Sequence, residues 1–121
     1  MTKVLYVEDH EAQRDIMVRI LGMYGYEVDV ACNAEEGVKK TQEWQPDVVL
    51  MDVRMPGRID GLVAIRQLRS GPDTADIPII VVSAWGSVKH KKPAMRAGAN
   101  MHFTKPVTMD ELIAAINRNL K

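Results

Sequence analysis

Five times along this chain a short run of β-branched and other apolar residues gives way to a longer amphipathic stretch, and that alternation leaves few folds open. The runs are residues 4–7, 27–31, 48–51, 77–82 and 101–104. Between the first two, "EAQRDIMVRILGMYG" places Ile16, Ile20 and Met23 at helical spacing and stops at Gly25. Asn33-x-x-Glu36 and Thr108-x-x-Glu111 have the form of capping boxes that open the second and fifth helices. The third helix starts near Gly61 and ends at "SGPD". Pro93 would fall in the middle of a fourth helix that began right after Gly86, so the expectation is a helix starting near Pro93, or a kinked one.

Connections this short in a (βα)5 order require a parallel sheet with right-handed crossovers and helices on both faces, an α/β doubly wound architecture. In such sheets the ligand crevice lies outside the carboxyl ends of the strands, at the switch in strand order. Strand one ends in Glu8-Asp9, strand three in Asp52, strand four in Ser83 and strand five in Lys105, whereas the end of strand two, Cys32-Asn33, offers nothing comparable. Val48-Val49-Leu50-Met51 reads as a strand buried on both faces, yet it delivers the Asp52 carboxylate at its end, where an unpaired charge is costly enough to demand a cation. Lys105 can supply one. Glu8, Asp9 and Asp52 together repel one another and invite a hard divalent ion, for which Mg²⁺ is the natural choice. A metal, an ammonium and a hydroxyl around a carboxylate suit phosphoryl transfer to that carboxylate, where catalysis is mostly positioning and charge neutralisation.

With 121 residues and 46% apolar composition, the chain fits one domain, 1–121, with a real core. Its longest apolar runs fall far short of a membrane span, and the N-terminus turns acidic where a signal peptide would stay apolar, so a cytoplasmic protein with no membrane partner is expected. Net charge is zero, with an acidic excess in the first half balanced by a basic one in the second. The basic side gathers in "KHKKPAMR", which lacks the aromatic interleaving of a nucleic-acid grip and reads as a solvated face; no nucleic acid is expected at this domain. The lone Cys32 reads as a small buried or half-buried side chain. The eight methionines read as core fillers, with Met101 and Met109 as exceptions.

The acidic pair at 8 and 9, "MDVRMPG" around Asp52, "IPIIVVSA" ending near Ser83 and "AGANMHFTKP" ending in Lys105-Pro106 resemble, over essentially the entire chain, the receiver domain of two-component response regulators, of the chemotaxis-regulator kind. The resemblance implies a flavodoxin-like fold with strand order 2-1-3-4-5. It implies that Asp52 takes a phosphoryl group from a phosphohistidine on a sensor histidine kinase or a histidine phosphotransfer protein. Asp9 and Asp52 would ligate Mg²⁺ with the backbone carbonyl of Arg54, and Glu8 would help directly or through a water. Lys105 would pair with Asp52 and then with the phosphoryl oxygens, the Ser83 hydroxyl would move to bond the phosphoryl group, and the Lys105-Pro106 bond would be cis. Such a chain promotes its own phosphotransfer and slow dephosphorylation but serves as a switch rather than an enzyme. It would act on a downstream protein target or a tethered output domain, with homodimerisation on phosphorylation left open.

Several positions depart from the family pattern. Glu8 stands where Asp is commoner, and the loop "GRI" after Pro56 is one residue longer than usual. Arg54 and Trp85, two residues after Asp52 and Ser83, are expected to shield an acyl phosphate from water. His102 stands where many relatives carry a Tyr or Phe that swings inward with the hydroxyl, and is a candidate switch residue alongside Ser83. Two rivals remain. A Mg²⁺-dependent phosphohydrolase would want an acid where Arg54 stands, and a degenerate receiver that binds partners without phosphorylation would not need the full set of Asp9, Asp52, Ser83 and Lys105.

Overall fold

The computed structural model describes residues 1–52, 60–83 and 88–120, with the side chains of 88–90 left aside. Its order is β1 (Lys3–Val7), α1 (Glu11–Met23), β2 (Glu27–Ala31), α2 (Ala34–Trp44), β3 (Val48–Met51), α3 (Gly61–Ser70), β4 (Ile79–Ser83), α4 (Val88–Ala97), β5 (Met101–Thr104) and α5 (Met109–Asn119). All strand pairs are parallel and the sheet runs β2-β1-β3-β4-β5, the doubly wound flavodoxin-like order.

Strand periodicity of two builds two apolar layers from one sheet. Leu5, Val7, Val49, Met51, Ile79 and Val81 face Val38 of α2, Ala64, Ile65 and Leu68 of α3, and Ala94 and Ala97 of α4. The alternate residues Val4, Tyr6, Val48, Leu50, Ile80 and Val82 face Leu21 of α1 and Leu112, Ala115 and Ile116 of α5. Burial on both sides explains why β3 and β4 read as unbroken apolar runs. Each of Leu50, Ile65 and Ile80 is shielded from water and contributes about 1.5–3 kcal/mol by burial.

Helix starts follow side-chain caps. The Asn33, Asp60 and Thr108 side chains accept from the backbone N–H groups of Glu36, Val63 and Glu111, opening α2, α3 and α5. The two capping boxes predicted from sequence thus sit at helix N-termini. α1 stops where Gly25 takes φ 89°, a conformation open to glycine.

Five expectations need correction. β4 starts at Ile79 rather than at 77: the Ile77 N–H bonds the Thr74 carbonyl in a turn, and Pro78 has no N–H to give a ladder. α4 starts at Val88 and runs through Pro93. The proline there removes a single bond, to the carbonyl four residues back in the first turn, so the break is confined to the start of the helix. Cys32 is exposed, not buried. The methionines divide: Met51 is buried, Met101 and Met109 pack on the α1/α5 layer, and Met1 and Met23 are 85% exposed. The Ile16, Ile20, Met23 stripe has the expected helical spacing, but α1 buries Leu21 and leaves Ile16 exposed.

Candidate functional site

At the carboxyl end of the sheet, backbone bonds continue the ladder past the strand ends and fix the polar residues to it. Glu8 N–H donates to the Ala31 carbonyl at 2.9 Å, Asp52 N–H to Val7 at 3.2 Å and Lys105 N–H to Ser83 at 2.7 Å. Parity then sorts the side chains. Glu8 follows Tyr6, Asp52 follows Leu50 and Lys105 follows Phe103, so these three stand at the α1/α5 side. Ser83 follows Val81 toward the side of α3 and α4.

Lys105 Nζ lies 3.2 Å from Glu8 Oε1 and 3.7 Å from Asp52 Oδ2. The ammonium predicted to meet Asp52 therefore stands between two carboxylates and hydrogen-bonds the other one, with the Gln13 side-chain oxygen accepting at 3.2 Å as well. Glu8 is fully buried. It accepts from Tyr6 Oη at 3.2 Å and from the His10 backbone N–H at 3.3 Å, and its Oε2 lies 3.2 Å from His10 Nδ1. Its own carbonyl accepts from Arg14 Nη1 at 2.8 Å.

Burial alone would raise the Glu8 carboxyl. The neighbouring Asp9 and His10 groups and the charge of Lys105 outweigh it and hold Glu8 down at about 2. Asp9 moves the other way, pushed up by burial and by its contact with Glu8, as expected when two adjacent acids compete for one proton. Burial, then the Glu8 charge and hydrogen bond, push the Tyr6 phenol up and keep it a donor. Asp9 Oδ1 is buried and accepts no hydrogen bond. On the other side of the sheet Ser83 Oγ and His102 Nε2 are 2.9 Å apart. The Lys105-Pro106 peptide bond is cis.

Residues 4–117 match the family model described as the response regulator receiver domain. The chain belongs to that family. Among similar receivers, Response regulator MprA of Mycobacterium leprae is 38% identical over 119 residues, which is 98% of this chain and 51% of the relative. MprA of Mycobacterium avium is 37% identical over the same length. The chain thus spans about half the length of the curated relatives it matches. A receiver domain protein from Clostridium thermocellum superposes with TM-score 0.90 at 28% identity, covering 98% of this chain and 94% of the other. The chemotaxis response regulator CheY4 of Vibrio cholerae superposes with TM-score 0.89 at 29% identity, covering 99% of each chain.

In this receiver domain Glu8, Asp52 and Lys105 come together at one end of the sheet with Asp9 next in sequence, and Ser83 pairs with His102 at that end on the other face of the sheet. Arg54, Trp85 and the "GRI" loop lie outside the described residues. Sequence reasoning missed Tyr6, His10, Gln13 and Arg14. A signal for Tyr6 was present: it stands two residues before Glu8 on one strand, hence on the same face. Donor atoms of Glu8, Asp9 and His10 lie within 4.8 Å of one another, which makes His10 the neglected member of the acidic end. No helix among the described residues is long and apolar enough to cross a membrane.

Proposed function

We propose that this receiver is the phosphoacceptor of a two-component or phosphorelay system, with Asp52 as the acceptor. An Asp52 oxygen attacks phosphorus, the P–N bond to a donor imidazole breaks, and the freed imidazole leaves with a proton. The donor is a phosphohistidine on a sensor histidine kinase or a histidine phosphotransfer protein, and the read-out goes to a downstream protein target or a tethered output domain. The observation that carries this reading is the placement of Asp52: an 8% exposed carboxylate at a strand end, with Lys105 3.7 Å away and shared with the buried Glu8. The reading makes the chain a cytoplasmic signalling switch, not a turnover enzyme.

The donor set fits Mg²⁺: carboxylate oxygens are hard, and Asp9 Oδ1 is a buried oxygen with no hydrogen bond to give up. Asp9 and Asp52 would hold the ion, together with the Arg54 carbonyl, and Glu8 would lend charge from its hydrogen-bonded place behind them. Bound there, the ion supplies positive charge against the oxygens of the transferring phosphoryl group. Lys105, already shared between Glu8 and Asp52, turns to a phosphoryl oxygen once Asp52 is phosphorylated. Ser83 leaves His102 to donate to another, and the freed imidazole carries the change to the α4 side, shifting a two-state equilibrium of the output face.

The test is intact-mass spectrometry after incubation with a small-molecule phosphodonor, with and without Mg²⁺, on the wild type and Asp52→Asn. A Mg²⁺-dependent gain of one phosphoryl group, absent in the variant, is expected. No gain in a folded protein would favour a module that binds partners without being phosphorylated.

A further inference from the structure

We infer that His10 lends a nitrogen donor to the divalent-ion site, so that the site prefers a first-row transition dication to Mg²⁺. The inference rests on the phosphoacceptor reading, since Asp9 is an acid which that reading assigns to the ion. His10 Nδ1 lies 3.2 Å from Asp9 Oδ1 and 3.2 Å from Glu8 Oε2. Two donors bound at right angles to one ion, each about 2.1 Å from it, stand about 3.0 Å apart, so the Asp9–His10 pair already has close to the spacing of adjacent ligands.

The approach of His10 to Asp9 is not a hydrogen bond, because Asp9 Oδ1 is buried and accepts none. A cation between the two atoms would give that oxygen a partner. Nor is the imidazole occupied by the helix it begins: His10 is the N-cap of α1, yet its side chain makes no capping bond. Its Nδ1 can serve either neighbour, since the neutral ring carries its proton on Nδ1, donating to Glu8, or on Nε2, leaving Nδ1 a lone pair. Imidazole is a borderline ligand that suits Co²⁺, Ni²⁺ and Zn²⁺ far better than Mg²⁺, which prefers oxygen. The side chain is 67% exposed, so it can be replaced without opening the core.

The experiment loads the full chain with Mn²⁺ and reads nitrogen modulation in its electron spin echo, for the wild type, His10→Ala and Asp9→Asn. Calorimetry gives Co²⁺ and Mg²⁺ affinities of the same proteins, with circular dichroism to verify folding. Nitrogen modulation in the wild type and its loss in His10→Ala are expected, with Co²⁺ affinity falling about tenfold and Mg²⁺ affinity changing less than about twofold. Saturable Mn²⁺ binding without nitrogen modulation, or modulation that persists in His10→Ala, would overturn the inference and leave the phosphoacceptor reading standing. No saturable binding, or binding indifferent to Asp9→Asn, would overturn both.

Discussion

Two cations hold opposite ends of this molecule, and they are held differently. At the amino end of β4, Arg69 of α3 donates to the carbonyls of Gly98, Ala75 and Ile77 at 2.9, 3.0 and 2.7 Å and to the Asn100 side-chain oxygen at 2.7 Å. Every one of those acceptors is neutral, and each has one place to be. Gly98 fits against the guanidinium because it has φ 123° and no side chain: a Cβ there would come within 2.6 Å of Arg69 Cγ. At the carboxyl end Lys105 stands between two carboxylates, one buried and one at a strand end, and can favour either. The planar fork of Arg suits a fixed clamp, and the compact, rotatable ammonium of Lys suits a group that must change partners.

The contrast makes the Arg69 end the more sensitive to mutation in stability. Arg69→Met leaves three half-buried carbonyls without their side-chain donor and the Asn100 oxygen with the Ile79 N–H alone, and is expected to cost about 3 kcal/mol in denaturant unfolding while the folded fraction still accepts a phosphoryl group. Arg69→Lys should recover only a small part, because one ammonium cannot reach four divergent acceptors. A full recovery would mean that charge, not the fork, holds the segments together.

Lys105→Met should cost less, about 1 kcal/mol, because the ammonium is partly exposed and Glu8 keeps Tyr6 and His10. Its main effect falls elsewhere. Phosphoryl acceptance should persist at a reduced rate, while the change in the His102 imidazole resonances on phosphorylation should shrink. Equal losses of acceptance and of that response would show that Lys105 serves the chemistry alone.

The two ends also differ in how readily the sequence discloses them. The alternation of apolar runs and amphipathic stretches locates five strands and five helices, because burial on both faces of β3 and β4 leaves its mark on every residue. The carboxylates and Lys105 are legible as polar residues at strand ends, and the strand order came through family resemblance rather than periodicity. What joins them is not legible. Tyr6 reads as one more strand residue, His10 as a loop residue, and nothing in "RQLRSGPD" announces that Arg69 will gather carbonyls from two later segments. Those contacts depend on where turns return the chain, and turns such as the one at Ile77-Pro78 are set by hydrogen bonds that leave no periodic trace.

The smallest expected effect is the pH dependence of the acidic end. Glu8, at about 2 against an ordinary 4.5, lends stability in full above pH 4.5 and loses it as the pH falls toward 2. Asp9, pushed up, works oppositely: the folded protein holds its proton more tightly than the unfolded chain, a contribution that fades as the pH rises through the carboxylate range. The two oppose each other, so the net slope should be shallow. Glu8→Gln removes the first contribution and, with it, the like charge beside Asp9. The urea midpoint of the variant, followed in chelator from pH 5 to 2, should therefore fall less steeply than that of the wild type. An unchanged slope would show that Glu8 is not held ionised by Lys105 and His10, and that the acidic end is as static as the Arg69 clamp.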